Sequence, residues 1–344
     1  MEGLEFGGGN LIYYATMRIL FMGSSSASAT CLYALLREKE LEVVGVVTPP
    51  DRPAGRGKAL TPCPCKAYAM ERDLPNVISS GNVNSAETMA EIRSLNPDAI
   101  VVVAFGQFLK APILELPPHG CINCHFSLLP KYRGASPVVA AIAAGEKLTG
   151  VTVMKMGLGM DDGPILYQSY EPIYSDTTGG RLMDLLAIAG GGALVKTLKS
   201  LAAGETVNLV EQNPSEATFA WKLKKTDGLI AWNEDVIVID RKIRAYSPWP
   251  GCFTFLPEKM RKGGFNGRLV VTRAAIVSDM EEAWKDAESG TVLAIRKNGF
   301  VVKCGHTALM PLEVKPEGSA LMDCGAFLCG KGRPLQPGDR LLDS

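Results

Sequence analysis

No sign of charge predominates in this chain. Its 344 residues hold 36 Lys and Arg against 36 Asp and Glu, which excludes a uniformly basic nucleic-acid coat. No uninterrupted apolar run approaches the ~18–20 residues of a bilayer span, so no membrane partner is expected. Lys and Arg are absent from the first 17 residues, which excludes the basic start of a secretory signal and the Arg of a transit peptide. Residues 1–16 are therefore expected to be a flexible extension ahead of a start at Met17. The first strand ends Phe21-Met22-Gly23-Ser24-Ser25-Ser26-Ala27, with one glycine where a dinucleotide fingerprint needs three. There is no Walker A sequence either, so nicotinamide and nucleoside-triphosphate chemistry are not expected. The nine Cys are an odd number in a large chain, which argues against a disulfide scaffold and for free thiols in a reducing cytoplasm. Cys63/Cys65 and Cys121/Cys124 have spacings that four-thiolate zinc sites use. The second pair lies inside an apolar run, however, and both pairs read as small buried hydrophobes, with no metal expected.

What is present is a change of pattern along the chain. Short, nearly continuous apolar runs occur at 18–23, 43–48, 99–105, 121–125 and 150–156, the signature of strands buried on both faces. Helical patterns over 29–40 and 85–95 alternate with them. That order predicts an α/β, doubly wound (Rossmann-like) parallel sheet over 17–205. A further helical stretch, 180–203, contains Gly190-Gly191-Gly192, which is expected to break or kink it. Residues 206–217 are polar and turn-rich and read as a linker. Beyond them, an amphipathic helix over 235–246 precedes short strands at 268–273, 291–295, 299–304 and 306–312, which predicts a small C-terminal OB-like β-barrel over 218–344. That region holds 19 Lys and Arg against 15 Asp and Glu, a mildly basic balance that permits nucleic-acid contact.

Histidine is scarce, at three residues, and His125 stands out by position: it ends the run Cys121–His125, where an open α/β sheet places its site. Asn123, two residues earlier, leaves the strand on the same face. A carboxamide donor beside an imidazole suits acyl transfer, the amide stabilising an oxyanion and the imidazole taking a proton. The alternative is a core histidine bonded to a backbone carbonyl. Asp161 and Asp162 follow the 150–156 run before Gly163; either could orient the imidazole, and both could simply form a turn. Ser127-Leu128-Leu129-Pro130-Lys131-Tyr132-Arg133-Gly134 mixes apolar and backbone polar groups in a stiff loop able to wall a flat heterocycle. Arg52, Arg56 and Lys58 are interleaved with glycines and prolines in a loop after the 43–48 run, a pattern suited to phosphate contact or to plain solvation.

Taken together, the block Asn123–Gly134, then Gly150-Val151-Thr152, then Asp161-Asp162-Gly163 resembles the signature of enzymes that use 10-formyltetrahydrofolate, over roughly residues 17–315. Within them the chain is most similar to the methionyl-tRNA formyltransferase family, through Asp51–Lys58 and the junction Arg244-Ala245-Tyr246-Ser247-Pro248-Trp249-Pro250. The resemblance implies that Asn123, His125 and Asp161 are catalytic, and favours Asp161 over Asp162. It implies that Ser127 to Gly134 lie beside the folate, and that Arg52, Arg56 and Lys58 grip initiator methionyl-tRNA. It implies a cytoplasmic, metal-free enzyme, expected to be monomeric. A sister enzyme acting on an amino-sugar nucleotide would share the triad, but a small sugar gives no reason for the basic loop. A hydrolase releasing formate and a tRNA-binding module without catalysis are further alternatives.

Overall fold

The computed structural model describes residues 16–55, 57–261 and 265–342. Residues 1–15 of the expected extension lie outside the described residues. The chain divides into two compact units. One comprises the described residues up to His125, Val151–Ser169 and Ala187–Pro214; the other comprises Phe126–Gly150, Tyr170–Leu186 and the chain from Ser215. The second unit thus takes in two stretches that sequence pattern assigned to 17–205.

The strands β1 (Met17–Gly23), β2 (Leu41–Thr48), β3 (Val77–Ser79), β4 (Ala99–Val103), β5 (Cys121–His125), β6 (Leu148–Lys155) and β7 (Ile165–Pro172) form one sheet in the order β7-β6-β5-β4-β1-β2-β3. Neighbours from β5 to β3 run parallel, whereas β6 is antiparallel to β5. The sheet is therefore mixed, not wholly parallel as expected. An apolar run buried on both faces has the same sequence in either direction, so its pattern cannot report strand polarity.

The helices are α1 (Ser26–Leu35), α2 (Pro64–Glu71), α3 (Ala86–Ser94), α4 (Ala111–Leu114), α5 (Pro137–Ala144), α6 (Gly179–Ala202), α7 (Val236–Ala245) and α8 (Cys324–Cys329). Ser25 and Ser85 cap α1 and α3, each accepting from a backbone N–H three residues on. Met89 and Ile92 of α3 join Leu20, Met22, Val47, Ile100 and Val102 in one core. Each such side chain contributes about 1.5–3 kcal/mol by leaving water.

Helix α6 is continuous for 24 residues, so the three glycines do not break it. Gly191 permits close approach instead: a Cβ there would lie 2.8 Å from the Ala34 Cβ of α1. By length and composition α6 is also apolar enough to cross a membrane, although Arg181, Asp184, Lys196 and Lys199 interrupt its apolar run. Leu182, Leu186, Leu194 and Leu198 are fully buried within the protein, the stripe of a core helix.

In the second unit, β8 (Cys252–Phe255), β9 (Arg268–Val277), β10 (Val292–Arg296), β11 (Gly299–Cys304), β12 (Thr307–Pro316) and β13 (Met322–Asp323) form an antiparallel sheet in the order β8-β9-β12-β11-β10, with β13 on β12. Among the described residues no ladder joins β8 to β10, so the closed barrel expected from strand spacing is not detected. Trp232, Val236, Ile239 and Ile243 pack with Leu269, Val271, Phe300 and Val314 in its core. Arg241 of α7 donates to the Ala144 carbonyl that ends α5, at 3.4 Å. This α5–α7 packing is what draws residues 126–150 into the second unit. All nine cysteines are free; burial pushes the Cys65, Cys121, Cys252, Cys304 and Cys324 thiols up to about 12.

Two neighbouring glycines test the α6 packing. Gly191→Leu is expected to destabilise by about 1–3 kcal/mol through overpacking against α1. Gly192, exposed with nothing within 4 Å of its virtual Cβ, is expected to stabilise on substitution by Ala by about 0.5–1 kcal/mol. Thermal melts of both variants check this; equal shifts in one direction would contradict it.

Candidate active site

The carboxyl end of β5 and the turn after its antiparallel neighbour β6 carry the candidate residues. Asn123 and His125 occupy alternate positions at the end of β5, opposite Met154 and Thr152 of β6. Both are buried, at 8% and 6% exposure, and both face the same carboxylate. Asn123 Nδ2 donates to Asp161 Oδ1 at 3.4 Å, and His125 Nδ1 lies 3.6 Å from Asp161 Oδ2. The second distance is an electrostatic contact, longer than a normal hydrogen bond. One carboxylate thus orients an imidazole and a carboxamide together.

The placement of Asp161 follows from the turn after β6. Asp161 has φ +48°, in the left-handed region that Asp tolerates better than most residues. A Cβ on Gly163 would lie 1.9 Å from the Lys155 carbonyl oxygen, so only glycine allows the turn to lie this close to β6. Lys155 N–H in turn donates to the Pro164 carbonyl at 3.0 Å. Asp162 points elsewhere: its carboxylate abuts the backbone at Gly159, where a Cβ would meet Oδ2 at 1.9 Å. Of the two adjacent acids, Asp161 alone is brought to Asn123 and His125.

Gln212 completes this arrangement and was missed from sequence, because it lies in the stretch read as a linker. It is buried, and its Nε2 donates to the Asp161 carbonyl at 2.8 Å and to the Gly163 carbonyl at 2.7 Å. Val210, two residues earlier, bridges Ile165 in antiparallel fashion. This part of 206–217 is therefore built into the first unit. The only available signal was weak: a lone carboxamide among turn formers, two positions beyond an apolar residue.

The other candidate residues are placed as follows. Arg52 and Lys58 lie on an exposed hairpin, Arg52–Ala54 paired with Ala59–Thr61, that rises directly from β2. Arg56 lies outside the described residues. Asp51 at its base pairs with Lys66 at 2.7 Å. Ser127 to Gly134 form a braced segment of the second unit. Ser127 donates to the Lys131 carbonyl at 2.6 Å, and the Tyr132 hydroxyl donates to Glu146 at 2.8 Å. That hydroxyl bond is the main reason the Glu146 carboxyl is held below its usual range, while burial first and Glu146 second push the Tyr132 phenol up. Ser127, Leu129 and Arg133 are buried; Leu128, Pro130, Tyr132 and Gly134 are half-buried and Lys131 is exposed. No group of three or more His, Cys, Asp or Glu suited to a metal ion occurs among the described residues.

Comparison with known proteins matches residues 17–198 to the family described as "Formyl transferase" and residues 222–332 to "Formyl transferase, C-terminal domain". A methionyl-tRNA formyltransferase of Marinobacter nauticus is 40% identical over 325 residues, covering 94% of this chain and 100% of the relative. One of Symbiobacterium thermophilum is 42% identical over 326 residues, covering 94% and 95%. Among solved structures, HypX from Aquifex aeolicus in complex with tetrahydrofolic acid aligns with a TM-score of 0.60 at 16% identity, over 94% of this chain and 48% of that one. WlaRD, a sugar 3N-formyl transferase, aligns with a TM-score of 0.59 at 14% identity, over 89% and 99%. These two show a shared fold.

The Gln212 clamp is testable by itself. Gln212→Ala removes two hydrogen bonds worth about 0.5–1.5 kcal/mol each. Amide hydrogen exchange in 159–163 is then expected to rise by about 5- to 100-fold, with β1 and β4 unaffected. Unchanged exchange in that turn would show that Gln212 does not hold it.

Proposed function

The chain belongs to the family of methionyl-tRNA formyltransferases, and from that premise we propose which of its residues do the work. It is an enzyme that transfers the formyl group of 10-formyltetrahydrofolate to the α-amine of methionine carried on initiator tRNA, giving the N-formylmethionyl-tRNA that begins translation. The observation that supports the assignment of the chemistry is the single Asp161 carboxylate facing Asn123 and His125 at 3.4 and 3.6 Å.

In this reading the amine lone pair attacks the formyl carbon and the carbonyl π-bond electrons move to oxygen. Asn123, whose carboxamide has two N–H donors, directs one to Asp161 and the other to that oxyanion. His125 accepts the proton from the attacking amine and returns it to N10 of the folate as the carbon–nitrogen bond breaks. Asp161 keeps the imidazole oriented and stabilises its charged form. Ser127, Leu128, Leu129, Pro130, Lys131, Tyr132, Arg133 and Gly134 are assigned to the folate by their match to the family's motif; with Ser127, Leu129 and Arg133 buried, backbone groups and the Leu128 side chain are its better contacts.

Arg52, Arg56 and Lys58 are assigned to the tRNA backbone, supported by the exposure of the Arg52 and Lys58 hairpin. Catalysis is assigned to 17–205, a connection to 206–217 and tRNA contact to 218–344. The finer reading of the C-terminal sheet as an OB-like barrel is supported by the segment at Arg340 and Leu342, which bridges Thr291 beside β10 and Phe255 on β8. Nine free thiols favour a reducing, cytoplasmic setting, in which we read the enzyme as a monomer working away from membranes.

Formyl transfer to methionyl-tRNA tests these roles. His125→Ala and Asn123→Ala are each expected to lower kcat by about 10²-fold or more; an Asn123→Ala enzyme with unaltered kcat would remove the oxyanion role. Arg52→Ala/Lys58→Ala is expected to raise KM for tRNA and reduce the salt dependence of kcat/KM by about two phosphate contacts. If the salt slope stays the same, the hairpin does not meet the phosphates.

A further inference from the structure

Phe219 and Trp221 form an exposed aromatic pair that the mechanism above does not use. Their rings are stacked, with centroids 5.4 Å apart and planes 10° apart. Phe219 is 50% exposed and Trp221 67% exposed, whereas Ala220 between them is 4% exposed. That alternation is the strand pattern, with both rings on the outer face. The backbone beneath them is fixed. Phe219–Ala220 pairs in parallel with Arg133–Gly134. Arg133 N–H donates to the Thr218 carbonyl at 2.8 Å, Ser136 N–H to the Ala220 carbonyl at 3.1 Å, and Tyr132 N–H to the Thr218 hydroxyl at 2.8 Å. Two large rings held outward on a pinned strand forgo much of the burial open to them, and they do so with little conformational freedom left to lose on binding.

The chemistry around the pair selects an occupant. Lys222, Lys224 and Lys225 follow immediately; all three are exposed, and none makes an ion pair with a described residue. A flat aromatic face followed by three exposed lysines is the pattern that binds single-stranded nucleic acid, with bases stacking on the rings and cations meeting the phosphates. Paired bases have their faces covered by neighbours, so the ring face selects unpaired nucleotides. We propose that Phe219 and Trp221 are a stacking platform for the unpaired 3′ nucleotides of the tRNA, with Lys222, Lys224 and Lys225 neutralising the adjoining phosphates. The identity of the nucleic acid rests on the formyl-transfer reading; the platform rests on the ring geometry.

The test is a binding cycle with the full-length protein and uncharged initiator tRNA, either intact or trimmed of its last four nucleotides. Trimming is expected to weaken binding to the wild type by about 5- to 100-fold, the range of base–aromatic stacking. Phe219→Ala/Trp221→Ala is expected to bind intact and trimmed tRNA alike, since its partner group is already gone. Trp221→Phe, which keeps a ring face, should retain most of the preference for intact tRNA. If trimming weakens wild type and double variant by the same factor, the platform is refuted and the pair serves another partner, such as a protein surface. Formyl transfer measured alongside separates the two readings. A wild type that shows the binding coupling but forms no formylmethionyl-tRNA refutes the function and keeps the platform. One that transfers normally without the coupling refutes the platform alone.

Discussion

Everything at the candidate site depends on one carboxylate facing two different groups. Asp161 lies 3.4 Å from an amide donor and 3.6 Å from an imidazole, and neither neighbour on β5 could be held in its role by the strand alone. A strand fixes where a side chain leaves the backbone; it does not fix rotation about χ2. The carboxylate supplies that constraint. It lies on a turn that would gain from relaxing, since Asp161 has a positive φ worth about 1–3 kcal/mol in strain. The opposing restraints are local: Gly163 lets the turn lie against β6, and Gln212 binds the carbonyls of Asp161 and Gly163.

The acid reaches the site although β6 runs antiparallel to β5 and ends opposite Ile122, near the start of that strand. The antiparallel ladder sets Thr152 and Met154 across from His125 and Asn123, and continues past Lys155 into the turn that carries Asp161. Met154 lies beneath the clamp as well, with its sulfur 3.9 Å from Gln212 Nε2. The position of the acid is thus set by the turn and by Gln212.

Much of this was legible in the sequence, for identifiable reasons. The β1, β2, β4 and β5 strands were visible because burial on both faces leaves uninterrupted apolar runs. Asn123 and His125 were legible as a pair because residues two apart leave a strand on the same face. The choice between Asp161 and Asp162 was not visible from spacing, because it turns on backbone angles and on which carbonyl lies beneath Gly163. Gln212 was hidden for a related reason: its partners lie 51 and 49 residues away, and a lone buried carboxamide leaves no periodicity. Gly190 to Gly192 misled because glycine signals either a break or a close approach, and only the neighbouring Ala34 distinguishes them. The division into units differs from the linear one because α5 packs on α7, a contact between segments about 100 residues apart in sequence.

In the proposed mechanism Asp161 acts through His125 and Asn123 together and has no separate catalytic effect of its own. Single-turnover formyl transfer by Asp161→Asn, by Asn123→Ala/His125→Ala and by the triple variant measures this. If Asp161 works through these two groups, adding Asp161→Asn to Asn123→Ala/His125→Ala should lower the rate by less than about threefold, although it lowers the wild-type rate by far more. If the losses multiply in the triple variant, Asp161 acts independently of both groups and the shared carboxylate is not what organises the site.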